Sequence, residues 1–282
     1  MTIAKLRSAA MKAGLGVAMA ALAVFASAAA EAGEALDRVR ANGIKIAYSK
    51  EEPWAYPDAQ GALVGMEIEI AQSCAKELGI GKVDFIETEF DSLIPGVAAG
   101  RWDMEAGGTN LSPERLQVAI ATQPMYAFGT KLLVKKGNPL NLHSWADVGK
   151  SGKTIGIAAG ATAQTLSLLD GFGVKYSTYP TVDAEIADLV AGRIDGVGNA
   201  ELSLFAYVKN NPDAGVEVAL PWDYQGLGIS TPGQYFNKRD VDLRDAWNDC
   251  ISGLKTSGKM KELASKYGFD PAQIPPAGPG AP

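Results

Sequence analysis

The chain has 282 residues, a formal net charge of −6, one histidine and two cysteines. This length is sufficient for one large domain or two ordinary ones. An acidic chain without basic runs argues against nucleic-acid binding. A single histidine, His143, and the absence of clustered cysteines argue against a transition-metal site. We therefore expect no metal, no cofactor and no nucleic-acid partner.

The first 30 residues are predicted to be an export signal. Three basic residues between positions 5 and 12 precede a stretch of small apolar residues. Its end offers the small-x-small pattern of a signal-peptidase site, with cleavage near Ala28 or Ala30. A membrane anchor is the alternative, but about 17 residues, mostly alanine, are short and weakly apolar for a span. We expect the mature protein in a periplasm.

Segments with strand and helix patterns alternate along the mature chain. Residues 44–48 and 83–87 are predicted strands, and the apolar spacing of 65–78 predicts a helix between them. A short helix over 92–99 and a strand near 104–106 follow. This alternation predicts an α/β fold with largely parallel sheets.

A five-residue pattern, Ala-Gly-Arg-X-Asp, occurs at 99–103 and again at 191–195. In both places the glycine fits the end of a helix and the aspartate precedes a predicted strand. We interpret this repeat as two lobes of similar build.

Extended segments at 130–136 and 227–230, the second continued by 234–237, are the predicted hinge strands between the lobes. The predicted division is a signal peptide at 1–30, lobe one at 31–132 plus 224–272, lobe two at 133–223, and a disordered tail at 273–282. The tail is predicted to be disordered because proline and glycine dominate it.

The two cysteines, Cys74 and Cys250, lie on the predicted first and last helices of lobe one. An oxidising compartment permits a disulfide between them if these helices are neighbours. Two buried thiols are the alternative, and the sequence leaves both open.

Open α/β sheets bind ligands beyond the carboxyl ends of their strands, which selects a few loops. The loop after the first strand carries an acid and two aromatics, Glu51, Trp54 and Tyr56, and Phe90 follows the next strand. We expect these side chains to contact a ligand.

The loop at 107–115 is the most informative of these segments. Gly108 lets a ligand approach the backbone, Asn110 offers hydrogen bonds, and Ser112 begins a helix. Arg115 follows, and a guanidinium fork is the group best shaped to hold a carboxylate. The alternative is an arginine that pairs with Glu114 or another surface acid.

Lobe two offers two further loops. A glycine turn leads into a helix at Thr162, where unpaired N–H groups favour an anion, although an ordinary turn has the same pattern. Asn199 and Glu201 follow a later strand.

These features together resemble the amino-acid-type periplasmic solute-binding proteins of ABC importers. The segments that carry the resemblance are 63–71, 93–96, 100–103, 112–115, 243–247 and 254–258. It covers nearly all of the mature chain. It implies a bilobed periplasmic-binding-protein fold (type II), with two α/β lobes joined by two hinge strands and a small zwitterionic ligand between them. It also implies an ABC permease as partner, and we expect a monomer.

Within this family the chain is most similar to the ectoine/hydroxyectoine-binding branch, through Glu51 with Trp54, the segment 89–91 and the segment 137–144. In that branch, the acid at the Glu51 position pairs with a delocalised cation. Aromatics at the Trp54 and Phe90 positions enclose that cation, and the arginine at the Arg115 position takes the carboxylate.

Two positions depart from the patterns of the family. Asn110 stands where the ectoine branch would place another aromatic, and Ala200 stands where binders of ordinary amino acids carry an ammonium-binding aspartate. A diffuse cation needs aromatic faces rather than directed acceptors. We therefore expect ectoine, hydroxyectoine, a betaine or a polar amino acid as ligand.

Two other functions remain open. Cyclohexadienyl dehydratases resemble this family, and Glu201 would then be a candidate general acid. The sequence shows no nucleophile–base pair, so we expect a binding protein rather than an enzyme. A binding protein that serves a chemoreceptor instead of a permease would have the same sequence features, and gene neighbourhood would separate the two.

Overall fold

The computed structural model describes residues 34–225 and 229–281. The predicted export signal lies outside the described residues. Among the residues described, no helix is long and apolar enough to cross a membrane.

The described residues form ten α-helices and thirteen strands. The helices are α1 (Glu34–Asn42), α2 (Met66–Glu77), α3 (Leu93–Ala98), α4 (Pro113–Leu116), α5 (Trp145–Ser151), α6 (Ala163–Gly171), α7 (Val182–Ala191), α8 (Glu201–Asn210), α9 (Val241–Thr256) and α10 (Lys259–Lys266). The strands are β1 (Ile44–Tyr48), β2 (Tyr56–Pro57), β3 (Leu63–Val64), β4 (Val83–Glu87), β5 (Met104–Glu105), β6 (Ile120–Ala121), β7 (Phe128–Lys135), β8 (Thr154–Ala158), β9 (Lys175–Tyr179), β10 (Gly196–Ala200), β11 (Val216–Val218), β12 (Ile229–Ser230) and β13 (Tyr235–Phe236).

Lobe one is built on a sheet with the strand order β4-β1-β5-β13-β6. Strand β1 pairs in parallel with β4 and β5, and β13 runs antiparallel to β5 and β6. Helices α1, α2 and α10 each contact α9. The core of this lobe includes the fully buried Ile46, Met104 and Trp247. Because β13 and α9 come from the end of the chain, lobe one is made of two separate chain segments.

Lobe two is built on a sheet with the order β11-β7-β10-β8-β9, and β12 pairs with β7. Strands β8, β9 and β10 are parallel, whereas β7 is antiparallel to β10 and β11. The buried Trp145 and Ile155 pack on one face of the sheet and Leu189 and Val197 on the other.

Two segments connect the lobes, 122–127 between β6 and β7 and 231–234 between β12 and β13. All but the last residue of the predicted hinge strand at 130–136 lies within β7, which pairs along its length with strands of lobe two. The chain therefore crosses before Phe128 rather than near residue 132, because Phe128 and Gly129 already pair with β12.

The repeated pattern occupies equivalent places in the two lobes. Gly100 and Gly192 end their helices with positive φ angles of 70° and 75°. Asp103 then donates its backbone N–H to Lys45 O at 3.0 Å, and Asp195 does the same to Thr154 O at 2.8 Å. Each copy thus joins a helix end to a strand with two parallel neighbours, β1 in lobe one and β8 in lobe two.

A disulfide joins Cys74 on α2 to Cys250 on α9, with the Cα atoms 5.6 Å apart. The two helices pack against each other in lobe one. This resolves the alternative that the sequence left open.

The C-terminal segment differs from the predicted disordered tail. Residues 276–281 lie along lobe one, where Gly278 donates its N–H to Gln123 Oε1 at 2.8 Å and accepts from Asn248 at 3.2 Å. Ala281 pairs with Ala121 at the edge of the sheet. The composition of this segment does not indicate these hydrogen-bond partners, because they come from distant parts of the chain.

Candidate functional site

A cleft of about 510 Å³ lies between the two lobes, within the size range of small-molecule sites. It is lined from lobe one by the loops after β1, β4 and β5, and from lobe two by the loops after β8 and β9 and by the end of β10. Eight of the ten residues predicted from the sequence line it: Glu51, Trp54, Phe90, Gly108, Asn110, Arg115, Thr162 and Asn199.

Tyr56 does not line the cleft. It lies in β2, paired with Val64 of β3, and this short hairpin carries its side chain away from the loop that holds Glu51.

Glu201 does not line the cleft either. One carboxylate oxygen accepts the backbone N–H of Gly129 at 2.8 Å, and the other accepts from Lys131 and from Tyr224. Burial would raise the pKa of Glu201, but the hydrogen bonds from Lys131, Gly129 and Tyr224 outweigh burial and lower it. Glu201 is thus an ionised structural partner of β7, which removes the candidate general acid of the enzyme alternative.

The sequence did not identify several residues that line the cleft, including Ser49, Lys50, Phe128, Trp145, Thr165 and Asp183. Ser49 directly follows β1, so its position at a strand end was an available signal. Trp145 carried no local signal, because only the packing of α5 against the lobe-two sheet brings it to the cleft.

Arg115 sits at the contact between the lobes. Its Nη1 donates to Asn110 O and its Nη2 to Gly160 O of lobe two, both at 2.9 Å. The guanidinium carbon lies 5.6 Å from the centre of the Phe90 ring. Burial lowers the pKa of Arg115, but a guanidinium remains charged at neutral pH. Two of its five N–H donors bind these carbonyls, which leaves others for a carboxylate.

Gly108 and Trp54 form one wall of the cleft. Gly108 has φ +67°, and a Cβ atom there would lie 2.6 Å from the Trp54 ring. Trp54 is only 3% exposed and packs edge-on against Phe128 and Phe269 at centroid distances of 5.1 and 5.7 Å. The indole is therefore a fixed wall, and any larger residue at Gly108 would displace it.

The helix start predicted at Thr162 is present and is occupied by a carboxylate. Thr162 caps α6 by accepting the N–H of Thr165 at 3.2 Å. Glu114 of lobe one reaches across and accepts the N–H of Ala163 at 3.1 Å. This arrangement has the chemistry expected of a helix N-terminus, with a carboxylate of the protein itself as the anion.

Glu51 also spans the lobes. Its carboxylate accepts a short hydrogen bond from Ser203 on α8. Burial raises the pKa of Glu51 to about 7; the hydrogen bond from Ser203 lowers it, and the charge of Asp183 raises it. Next to it, Lys50 pairs with Asp183 at 3.3 Å. These contacts, with those of Arg115, hold the lobes closed on each other.

Four buried polar atoms of cleft-lining residues have no hydrogen-bond partner among the described residues: Ser49 Oγ, Trp54 Nε1, Asn110 Oδ1 and Trp145 Nε1. Buried polar atoms are nearly always paired, because an unpaired one costs free energy. A polar ligand in the cleft could bind these atoms, which are one hydroxyl, one amide oxygen and two indole N–H donors.

The end of β10 lacks a directed acid. Ala200 lines the cleft, and Asn199 uses its side-chain oxygen to accept the backbone N–H of Ala200 at 2.6 Å. Carboxylates elsewhere outnumber cations around the cleft, with Glu51, Glu87, Glu89 and Asp183 against Lys50 and Arg115. No group of three potential metal ligands occurs within the part of the chain that the structure describes.

A cleft between two α/β lobes, joined by two crossing segments, defines a bilobed periplasmic-binding protein. Residues 44–270 match the family of bacterial extracellular solute-binding proteins, family 3, and the chain belongs to that family. Proteins of this family bind small solutes and deliver them to an ABC permease, which implies a periplasmic location.

Among its relatives is the "Probable amino-acid ABC transporter periplasmic-binding protein y4tE" of Sinorhizobium fredii, 35% identical over 265 residues, covering 90% of this chain and 87% of that protein. The histidine-binding periplasmic protein of Salmonella typhimurium is 28% identical over 223 residues, with coverages of 77% and 84%. Among solved structures, EhuB in complex with hydroxyectoine is 30% identical with a TM-score of 0.76, covering 84% of this chain and 93% of that one. These relatives are substrate-binding proteins rather than enzymes.

Proposed function

We propose that this protein is the periplasmic substrate-binding component of an ABC importer for a small zwitterion with a diffuse positive charge. Ectoine, hydroxyectoine and betaines are the leading candidates, ahead of polar amino acids. A monomer, exported by a signal cleaved near Ala28 or Ala30, is part of this proposal.

The observation that carries the ligand class is the end of β10. Ala200 lines the cleft where an amino-acid binder would present an aspartate, and the adjacent Glu201 is bound by Lys131. A primary ammonium has three strong donors and loses free energy when they are buried unpaired. A diffuse cation has few hydrogen-bond donors, so burying it at this strand end costs less free energy.

Side chains that line the cleft can meet both charges of such a ligand. Arg115 supplies donors for a carboxylate. Glu51 supplies a negative charge, and Phe90 and Trp54 supply aromatic faces that attract a diffuse cation. Similarity to the hydroxyectoine-bound structure supports the same assignment.

The direct test is a thermal-shift screen followed by calorimetry on the mature protein, with ectoine, hydroxyectoine, glycine betaine, arginine, histidine and glutamine. We expect the first three to stabilise and bind more tightly than the amino acids. Tight binding of an amino acid without binding of the diffuse cations would refute the ligand class.

Two variants refine the test. Phe90→Ala should weaken the binding of a diffuse cation by roughly 0.5–2 kcal/mol. Phe205→Ala serves as the control, because Phe205 is exposed and lies outside the cleft. Ala200→Asp should raise the affinity for free amino acids relative to hydroxyectoine. An Ala200→Asp variant with unchanged preference would show that this strand end does not select the ligand.

A further inference from the structure

Glu67 is a fully buried acid outside the cleft. It lies in the first turn of α2, is 0% exposed, and both of its carboxylate oxygens accept hydrogen bonds. One oxygen accepts a short hydrogen bond from Tyr126 Oη, and the other accepts from Gln234 Nε2 at 2.6 Å. An apolar side chain would fill this position without the free-energy cost of burying a carboxyl group. The acid therefore calls for a functional explanation.

The two donors to Glu67 come from the two segments that connect the lobes. Tyr126 belongs to the crossing segment 122–127, and Gln234 belongs to the crossing segment 231–234. Gln234 is held further by Trp247 of α9, whose Nε1 donates to Gln234 Oε1 at 2.7 Å. One carboxylate of lobe one thus binds both connections to lobe two.

The crossing segments are also paired with each other. Thr122 donates its backbone N–H to Gln234 O, and its side-chain oxygen accepts the N–H of Gln234, both at 3.0 Å. Met125 donates its N–H to Pro232 O at 2.9 Å. We therefore expect the two segments to behave as one unit, which Glu67 attaches to α2.

Glu67 is attached to the wall of the cleft as well. Its backbone N–H donates to Trp54 O at 3.1 Å. A Cβ atom at Gly65 would lie 2.1 Å from that same oxygen, so the start of α2 packs directly on the Trp54 backbone. The Tyr126 ring packs on Phe269 at a centroid distance of 4.8 Å, and Phe269 packs on the Trp54 indole at 5.7 Å. Direct contacts thus join the lobe-one wall of the cleft to the crossing segments.

Lobe two begins directly beyond the anchored residues. Phe128 of β7 pairs with Ser230 of β12 in lobe two. Thr231 O still accepts an N–H from the loop 107–115 of lobe one, at 3.2 Å. The chain can therefore turn between the lobes only at short links, near Ala127 in one segment and between Ser230 and Thr231 in the other.

We propose that Glu67 is a positioning residue for solute capture, which holds both crossing segments on the cleft wall of lobe one so that lobe two turns only at the links beyond them. The role rests on the proposed capture of a solute between the lobes. A buried polar network with every member paired specifies one arrangement of its parts. Lobe two then has few orientations in the ligand-free protein, and closing on a solute loses less conformational entropy.

The spread of lobe orientations is measured without any ligand, by pulsed electron paramagnetic resonance. Spin labels are placed at the exposed Lys209→Cys of α8 in lobe two and Lys261→Cys of α10 in lobe one, with the native disulfide intact. We expect the distribution of label distances to be broader in Glu67→Leu than in the labelled parent. Glu67→Gln should broaden it less, because an amide keeps one acceptor oxygen but turns an NH₂ group towards the second donor.

Two further variants separate positioning from simple loss of stability. Tyr126→Phe removes one donor to Glu67 and keeps the ring, so it should also broaden the distribution. Val39→Ala truncates a buried residue of α1 in the core of lobe one. It should lower the unfolding midpoint and leave the distance distribution at the parent width.

Parent-like distributions in both Glu67→Gln and Tyr126→Phe would overturn the positioning role, even if Glu67→Leu does not fold. Equal broadening in Val39→Ala would also overturn it, since the effect would then follow stability alone. Because no solute is added, failure of the proposed ligand class is detected separately by the thermal-shift screen. With a solute from that screen, calorimetry should show weaker binding by Glu67→Gln and Tyr126→Phe than by Val39→Ala.

Discussion

Arg115 of lobe one donates from Nη2 to the carbonyl oxygen of Gly160 in lobe two, at 2.9 Å. The same side chain holds Asn110 O of its own lobe at 2.9 Å. One guanidinium therefore links the two lobes and lines the cleft, so we expect ligand binding and lobe closure to depend on the same group.

Replacing Arg115 should impair binding more than folding. Arg115→Ala should weaken the affinity for a carboxylate ligand by about 2–5 kcal/mol, because the ligand charge is then buried without its partner. Arg115→Lys should also weaken binding, since a single ammonium cannot bind both carbonyls and a carboxylate in the same geometry. Calorimetry measures both, with the exposed Arg101→Lys as control. Parent-like affinity in Arg115→Lys would contradict this role.

Glu114 should act on closure alone. Its carboxylate caps Ala163 of α6 only across the lobe contact. Glu114→Ala should therefore weaken ligand affinity by about 1 kcal/mol, the typical worth of a helix cap, with little change in the unfolding temperature of the ligand-free protein. Glu77→Ala, which removes an exposed acid from α2, is the matched control. Equal losses in the two variants would show that the cap contributes nothing to closure.

The disulfide should stabilise lobe one without affecting the cleft. Cys74 and Cys250 are separated by 176 residues and both lie in lobe one. Removing the bond by Cys74→Ala with Cys250→Ala should lower the free energy of unfolding by about 2–5 kcal/mol. Denaturant unfolding measures this loss, and ligand affinity at moderate temperature should stay at the parent value. A marked loss of affinity in the folded double variant would show that the bond also shapes the cleft.

Glu105 should position the loop that carries Gly108. Its carboxyl accepts from Gly107 N–H at 2.9 Å and from Thr109 Oγ1 at 2.8 Å. Glu105→Leu should therefore cost about 1–3 kcal/mol of stability, because both donors lose their acceptor. Glu105→Gln keeps an acceptor and should retain binding. If Glu105→Leu and Glu105→Gln bind ligand equally well, the loop does not depend on this acceptor.

The same residue predicts a pH effect on stability. Burial, and then the charge of Glu67, raises the pKa of Glu105 to about 8; Thr109, Gly107 and Arg115 lower it. A raised folded-state pKa gives stability that is present at low pH and is lost as the pH rises through about 8. Thermal unfolding of the parent should thus shift downward over this range by more than that of Glu105→Gln. Parallel curves for the two proteins would contradict a protonated Glu105.

The sequence predicted those parts of the fold whose cause is local. The strand at 44–48 has the predicted bounds, and Ser112 caps its helix as expected, because apolar spacing and capping chemistry act over a few residues. The bilobed fold and the family were also correct. Arg115 lies in the cleft as predicted, and its binding of a carboxylate stays a prediction.

The errors share a physical origin in contacts between distant residues. Glu201 was predicted to face the cleft, but its partner Lys131 lies 70 positions away in the chain, and no local pattern indicates that pairing. Trp145 was missed for the same reason. The segment 276–281 was predicted to be disordered from its composition, whereas Gln123, Asn248 and Ala121 supply its partners.

The strand order of the two sheets has a consequence for the order in which the chain acquires structure. Every strand of the lobe-two sheet comes from the continuous stretch 128–230. This lobe can therefore fold before the C-terminal part of the chain has been synthesised or exported. The lobe-one sheet needs β13 in its interior and α9 on its face, both from beyond residue 234. The Cys74–Cys250 bond can therefore form only after α9 has been added to lobe one. Its presence distinguishes the fully folded chain from a chain that is still incomplete.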